Sequence, residues 1–212
     1  MRAEPIEVRM VSKTLYESIT VKYGSVASWA VWAKARVNPT SNISDISVLD
    51  PSLNPEILEL VTTDIIMVGL NLSQKGASES AFMNFHSENP YGKDYKIRFA
   101  FEGTKFYGAY MTDIIKDLPM PNAYSVVRHL RDNPSVISEQ IDRFREELKF
   151  IGASKPILLA FGRDTFNILQ GNLHRDEYLA LVQLTHYSHQ INKENYRQDT
   201  LKRLEVLNDT TP

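Results

Sequence analysis

The sequence predicts an α/β fold, namely a three-layer α/β/α arrangement around a central four-stranded, mainly parallel sheet. Short apolar runs alternate along the chain with stretches of helical periodicity, a pattern typical of parallel strands covered by helices on both faces. The chain has 212 residues, of which 42% are hydrophobic and 24% charged, an ordinary composition for one globular domain with a substantial core. We therefore expect a single domain over residues 1–212, with a helical extension at about residues 1–55.

The first half of the chain is predicted to contain three helices and two strands. Apolar residues recur near helical spacing from Ser12 to Arg36, which predicts a long first helix. The apolar run Asp64–Leu70 is typical of a buried strand, and Phe106–Thr112 is a second strand candidate. Between these strands, Glu79–His86 and Tyr95–Glu102 are predicted to form short helices.

The second half shows the alternation more clearly. A helix is predicted to begin at Asn133-Pro134, with proline at its first position, and to end at Gly152. Then follow, in order, predicted strand Pro156–Phe161, helix Arg163–Leu169, strand Tyr178–Leu184 and helix Lys193–Leu207.

Composition excludes several classes of function. The chain has no cysteine, so it can form no disulfide, thiolate zinc site, cysteine nucleophile or cysteine-ligated iron–sulfur cluster. No stretch approaches the roughly 20 apolar residues of a membrane span, and the first residues lack the apolar core of a secretory signal; we expect a cytoplasmic protein. The formal net charge is −2, so any contact with nucleic acid must be local, because phosphate-binding proteins usually carry a basic excess.

Candidate site residues lie where the predicted strands end. Ligands of open parallel sheets bind at the carboxyl ends of strands, which selects Asn71, Thr112-Asp113, Gly162 and His186. The Asn71 amide can hold a water or a ligand, or it can satisfy its own turn. The His186 imidazole can donate a hydrogen bond to an oxygen that gains negative charge, or it can be a structural histidine.

Two further groups of side chains have alternative interpretations. Phe82, Phe85 and His86 follow Asn71 at near-helical spacing, so one of them can stack on a planar base or all can belong to the core. His189 could bind a metal ion together with His186, but no third ligand is evident and we expect no metal site. No phosphate-binding glycine loop and no Gly-x-Ser-x-Gly elbow is present, which argues against the corresponding nucleotide-binding enzymes and hydrolases.

Four segments together resemble the uracil-DNA glycosylase superfamily. Val68-Gly-Leu-Asn-Leu-Ser73 is similar to its first motif, Gly-x-Asn-Pro, and His186-Tyr187-Ser188 occupies the place of its second motif, His-Pro-Ser. Gly108-Ala-Tyr-Met-Thr-Asp-Ile-Ile-Lys116 and Ile157-Leu-Leu-Ala-Phe-Gly162 are similar to two strands between those motifs. The order and spacing agree over about residues 60–195.

This resemblance implies hydrolysis of the N-glycosidic bond of uracil or another altered base that is flipped out of DNA. Asn71 would position the attacking water, and His186 would hydrogen-bond the base O2 as negative charge develops there. The base pocket would include Phe85 or Phe82 as the stacking ring, together with Asp113 and Gly69.

The resemblance also assigns the residues that would touch DNA. Ser188 would contact a phosphate, and Gln190 or Ile191 would stand where a side chain wedges into the duplex. The expected type is free of an iron–sulfur cluster and needs no cofactor.

Three positions differ from the family pattern. Leu72 and Tyr187 each replace a motif proline, and Asp113 replaces the asparagine that recognises the base. An amide accepts from uracil N3–H and donates to O4 at the same time, whereas an ionised carboxylate only accepts. A protonated Asp113, or a base with two donors on that edge, would restore the match.

Two other functions remain open at this point. One is a non-catalytic member of the same fold that binds nucleic acid or a protein, and the other is a hydrolase of a free nucleoside-like molecule. A basic groove around His186 would favour the DNA glycosylase, an exposed apolar patch with a closed pocket would favour the binding protein, and a deep narrow cavity would favour the small-molecule hydrolase.

Overall fold

A computed structural model of the chain describes residues 10–72, 80–87, 89, 91–118 and 123–207. Its sheet has five strands in the order β1-β3-β2-β4-β5. The strands are β1 Ser28–Trp29, β2 Thr62–Asn71, β3 Ala109–Ile115, β4 Ile157–Phe161 and β5 Ala180–Leu184. Strands β2 to β5 are mutually parallel where they pair, and β1 is antiparallel to β3. The predicted α/β fold is confirmed, but the sheet has five strands rather than four because β1 adds a short edge.

Helices cover both faces of the sheet. They are α1 Lys13–Tyr23, α2 Ile57–Leu60, α3 Tyr95–Phe101, α4 Ala123–Asp132, α5 Pro134–Phe150, α6 Arg163–Asn172 and α7 Lys193–Leu204. Side chains of α1, α2, α4, α5 and α6 share one apolar cluster with Ile66 and Val68 of β2. Side chains of α3 and α7 share a second cluster with Ile65 and Met67 of the same strand. Because neighbouring residues of a strand point to opposite faces, the two clusters are the two halves of the core. In the part of the chain that the structure describes, no helix has the length and apolar character needed to cross a membrane.

The predicted helix from Ser12 to Arg36 is wrong beyond about its first half. Ser12 caps α1 by accepting a hydrogen bond from the backbone of Leu15, but the helix ends at Tyr23. Residues 27–33 are all buried, whereas a helix on the surface would expose one side every turn. That continuous burial belongs to an extended segment, which includes β1.

The predicted helix Glu79–His86 is also wrong over the residues that the structure describes; Glu79 itself lies outside them, as does Ser73 of the first motif. Phe82 and Phe85 both have a positive φ of 64°, a conformation that non-glycine residues seldom adopt and that no α-helix contains. Two turns therefore replace the helix and send the two phenylalanine rings in different directions.

The other predicted elements are confirmed within a few residues at their ends. The last helix stops at Leu204 and continues as a 3₁₀ turn over Glu205–Leu207. Asn133 precedes α5 as predicted, but its side chain donates to the His129 carbonyl (2.9 Å) instead of capping the helix.

Candidate active site

The carboxyl ends of β2, β3, β4 and β5 meet at one edge of the sheet because these strands run parallel. In the register, Gly69 pairs with Asp113 and Phe161 pairs with Leu184. Asn71 ends β2, and His186 follows β5 by two residues. Strand β4 separates β2 from β5, which places these two strand ends about 10 Å apart across the sheet.

His186 is held as a neutral imidazole with a defined tautomer. The backbone N–H of Ser188 donates to Nδ1 (3.1 Å), and the Ser188 hydroxyl lies 2.8 Å from the same atom. Nδ1 therefore accepts, so the proton of the neutral ring is on Nε2. Burial lowers the pKa of His186 to about 4, which keeps the ring neutral at physiological pH. Gly162 leaves space beside it: a Cβ added there would lie 3.7 Å from the His186 Cβ.

Tyr187 connects His186 to the rings on the same face of the sheet. Its ring stacks on His186 with the centroids 4.4 Å apart and meets Phe161 edge-on at 5.4 Å. Phe85 approaches from the other side, with its ring centroid 6.4 Å from that of Tyr187. Burial, with the nearby Asp94 and Asp113 carboxylates, raises the pKa of the Tyr187 phenol well above its ordinary value. The phenol therefore stays protonated and is available as a hydrogen-bond donor.

Asp113 places a buried carboxyl group in the same row. Its side chain is 4% exposed, and Oδ2 accepts a hydrogen bond from Asn84 Nδ2 (2.9 Å). Oδ1 lies directly over Gly69, since a Cβ added there would be 2.1 Å from it and 3.4 Å from the Phe85 ring. Burial raises the pKa of Asp113 to about 6, against the opposing effects of the Asn84 hydrogen bond and the Lys116 charge. Glycine at position 69 is thus what allows the carboxyl group to reach toward Phe85.

A buried ion pair fixes the end of β3 from the opposite face. Lys116 Nζ lies 2.6 Å from Glu147 Oε2, and Glu147 Oε1 accepts hydrogen bonds from the Tyr110 (2.8 Å) and Thr112 (2.9 Å) hydroxyl groups. A buried carboxylate needs such partners to offset its desolvation. This network sets the position of the strand that holds Asp113.

Asn71 is half-buried at the end of β2, and its Nδ2 donates to the Leu72 carbonyl (2.8 Å). This local hydrogen bond fixes the orientation of the amide.

The two phenylalanines considered as stacking rings lie on opposite faces of the sheet. Phe82 is 3% exposed and packs edge-on against Tyr16 (5.5 Å) and Trp29 (6.3 Å). That environment makes Phe82 a core residue away from His186, which corrects its assignment to the base pocket. Phe85 contacts Tyr187 on the face that holds Asp113, so it is the ring that the fold brings to the candidate site.

The three residues expected to touch DNA are in the segment 186–191 after β5. Ser188 and Gln190 are exposed, and Ile191 is half-buried against the α3/α7 cluster. The segment is tied to α3 by Lys96, which is 2% exposed and whose Nζ donates to the His189 carbonyl (2.7 Å).

Sequence reasoning missed three residues of this site. Tyr187 was treated only as a replaced proline, although an aromatic residue beside a strand-end histidine already signals a ring contact. Lys96 and Arg98 are charged residues within helix α3, whose other residues are apolar or aromatic, and this is the signal that could have identified Lys96. Asn84 gave no signal, because its contact with Asp113 depends on the two turns around Phe85.

The arrangement provides no evident metal site but does provide complementary hydrogen-bonding groups. Within the described ranges, no group of three His, Asp or Glu side chains is placed to hold a metal ion. His86 is fully buried, stacks on Trp32 (5.1 Å) and contacts the Val31 carbonyl through Nε2 (3.0 Å), which makes it a structural histidine. The sheet edge instead combines an N–H donor on His186, a carboxyl acceptor on Asp113 and the planar ring of Phe85, groups suited to a flat polar ligand.

No model of a known protein family matches this chain, and no curated protein is similar to it at a significant level.

Proposed function

We propose that this protein is a monofunctional DNA glycosylase that hydrolyses the N-glycosidic bond of an altered base and belongs, as a divergent member, to the uracil-DNA glycosylase superfamily. The observation that carries the proposal is the neutral, Nε2-protonated His186 at the same sheet edge as Asn71. The segments that carry the resemblance lie in β2, β3 and β4 and directly after β5. These four strands are adjacent and parallel in the sheet.

His186 supplies the electrophilic part of the mechanism. When the glycosidic bond breaks, its electrons remain on the base, and the base becomes an anion with charge on a carbonyl oxygen such as O2 of uracil. A hydrogen bond from Nε2–H stabilises that charge most when it is fully developed, which lowers the barrier rather than only improving binding. Because the pKa of His186 is about 4, this ring donates a hydrogen bond at neutral pH without being an imidazolium.

Asn71 supplies the position of the nucleophile. A neutral amide cannot act as a strong base, but its carbonyl oxygen can accept a hydrogen bond from a water and orient it toward the sugar. Its side chain is already fixed by the Leu72 carbonyl. Such orientation suffices for a dissociative reaction in which the sugar becomes a cation before water arrives.

In this proposal the base is recognised by Phe85 and Asp113, whose ring and carboxyl group lie together over Gly69. Phe85 would supply the stacking ring, and Asp113 would supply the hydrogen-bond acceptor. An ionised Asp113 matches a base edge with N–H donors, whereas uracil presents O4 next to N3–H. The preferred substrate is therefore a base with two N–H donors on that edge, with uracil favoured only when Asp113 is protonated.

A hydrolase of a free nucleoside-like molecule is the second candidate, favoured by the net charge of −2. The same donor, acceptor and ring would serve it. It differs from the first in needing no DNA.

The test is a base-release assay with labelled single- and double-stranded oligonucleotides containing uracil, hypoxanthine, xanthine, cytosine or a mismatched thymine, followed by alkali to cleave abasic sites. We expect cleavage at one modified position and a loss of at least a hundredfold in Asn71→Ala and His186→Gln. The exposed His189→Gln is the matched control and should retain activity. Release from free nucleosides but not from oligonucleotides would select the second candidate, and full activity of both site variants would reject the assigned site.

A further inference from the structure

Two open cavities lie side by side along α3 and share Tyr95 in their walls. The larger, about 280 Å³, lies between residues 35–39, the exposed side of α3 and Lys193 at the start of α7. The smaller, about 210 Å³, lies between residues 40–44 and the segment around Ser87 and Gly92. We call these two adjoining cavities the α3 groove.

The larger cavity is locally basic in a protein that is acidic overall. Arg36, Arg98 and Lys193 line it, against one carboxylate, Glu102, whereas the whole chain has a net charge of −2. Among the described residues Arg36 forms no ion pair, and Lys193 Nζ lies 4.0 Å from the centroid of the Phe99 ring. Lys193 also pairs with the exposed Glu194, a surface contact that an incoming anion can replace at little cost.

The smaller cavity offers neutral hydrogen-bonding groups. Thr40, Asn42, Ser44 and Asn89 contribute hydroxyl and amide groups to its lining. Such side chains, together with arginine and lysine, make most protein contacts to phosphate and sugar. Tyr95 and Phe99 add aromatic surface, on which unpaired bases stack without regard to sequence.

The walls of the groove are fixed by buried charges on α3. Arg98 is 5% exposed and donates to the carbonyls of Ala33 (2.7 Å), Pro39 (2.5 Å) and Ser41 (3.0 Å). These three bonds hold the wall formed by residues 35–41 in place. The groove is therefore a preformed surface, which reduces the conformational cost of binding.

Helix α3 and the residue before it connect the groove to two segments that carry residues of the candidate active site. Asp94 is the residue immediately before α3. It accepts a hydrogen bond from the backbone N–H of Ser87 (2.8 Å), and Ser87 follows Phe85 by two residues. Lys96 on the same helix holds the His189 carbonyl (2.7 Å) in the segment that contains His186. If a base of a DNA strand entered the candidate site, the neighbouring nucleotides of that DNA strand would thus lie along α3.

We propose that the α3 groove binds single-stranded DNA, holding the sugar-phosphate of the nucleotides that flank the base in the active site. The inference rests on the proposed function, since it assumes that the substrate is a DNA strand. Arg36 and Lys193 neutralise two phosphates, and Tyr95 receives an unpaired base. Binding is therefore independent of sequence and strongly dependent on salt.

The experiment measures the binding of fluorescent oligothymidylate by anisotropy across a salt series, with the double variant Arg36→Glu/Lys193→Glu. The control, Lys105→Glu/Lys155→Glu, makes the same change in net charge at exposed residues near the amino ends of β3 and β4. We expect the groove variant to bind at least tenfold more weakly near 0.1 M salt, with a salt slope smaller by about 1.4, from two lost phosphate contacts at about 0.7 each. The control variant should bind like the wild type, and circular dichroism checks that both variants are folded.

Equal weakening in the two double variants, an unchanged affinity in the groove variant, or no binding by the wild type would overturn the groove. Equal affinity for an oligonucleotide duplex would overturn its preference for single strands. The readout requires no turnover: selective loss of binding without any base release would keep the groove and reject the glycosylase. Base release at the same rate in the wild type and in the Arg36→Glu/Lys193→Glu variant would keep the glycosylase and reject the groove.

Discussion

Replacing Asp113 with asparagine tests the electrostatics of the candidate site in a stability measurement. Burial raises the pKa of this carboxyl from 3.8 to about 6, so ionisation is harder in the folded protein than in the unfolded chain. The stability that the protonated carboxyl contributes is fully present below pH 3.8 and is lost as the pH rises through about 6. A difference of about 2 in pKa corresponds to roughly 3 kcal/mol, of which about half is already lost at pH 5.

The asparagine should fit the same space. Its side-chain oxygen can keep the hydrogen bond from Asn84 Nδ2, and its nitrogen can occupy the position of Oδ1 over Gly69. The Asp113→Asn variant cannot ionise, so we expect its free energy of unfolding to exceed that of the wild type by an amount that grows by about 1.5 kcal/mol between pH 5 and pH 8.

Urea unfolding at several pH values measures this difference directly, with the exposed Asp176→Asn as the matched control. A difference between wild type and Asp113→Asn that does not change with pH would refute the buried, titrating carboxyl. The variant should also move base release toward uracil, because an amide donates to O4 where a carboxylate cannot. An unchanged choice of base would separate Asp113 from substrate recognition.

Three further substitutions test the support of the site. Lys96→Met removes the hydrogen bond to the segment 186–191. We therefore expect amide hydrogen exchange in that segment to become at least tenfold faster. Unchanged protection would show that Lys96 does not hold the segment. Gly69→Ala places a Cβ 2.1 Å from the Asp113 carboxyl oxygen and should cost about 1–3 kcal/mol of unfolding free energy; a neutral effect in urea would mean that the carboxyl lies elsewhere. Glu147→Ala leaves the mostly buried Lys116 without its carboxylate partner and should lower the free energy of unfolding by about 3–5 kcal/mol. The exposed Glu139→Ala is the control. An equally small loss of stability in both variants would contradict this expectation.

The alternation of apolar runs and helices was sufficient to predict the α/β fold and the strands that end at the site. Local patterns failed at the two places where tertiary contacts decide the conformation. The buried segment around Trp29 has apolar residues on every side, which mimics a helix until its pairing with β3 is known. Phe82 and Phe85 have a positive φ and pack on opposite faces of the sheet, and no sequence signal marks that conformation.

The candidate site was predictable in position but not in its partners. Strand ends selected Asn71, Asp113 and His186, since parallel strands bring their carboxyl ends to one edge. The tautomer of His186 depends on the backbone of Ser188, and the protonation of Asp113 depends on burial beneath Phe85 and on Asn84. Such features follow from three-dimensional packing between segments that are distant in the chain.

We propose that His186 assists the departure of a base from DNA. Mass spectrometry of single-turnover reactions, with enzyme in excess over an oligonucleotide that contains the altered base, measures the free base directly. We predict one free base for each abasic site, a rate with no His186 titration between pH 6 and 8, and a rate at least a hundredfold lower in His186→Gln. Abasic sites without a free base, or equal rates for wild type and His186→Gln, would rule out this role of His186.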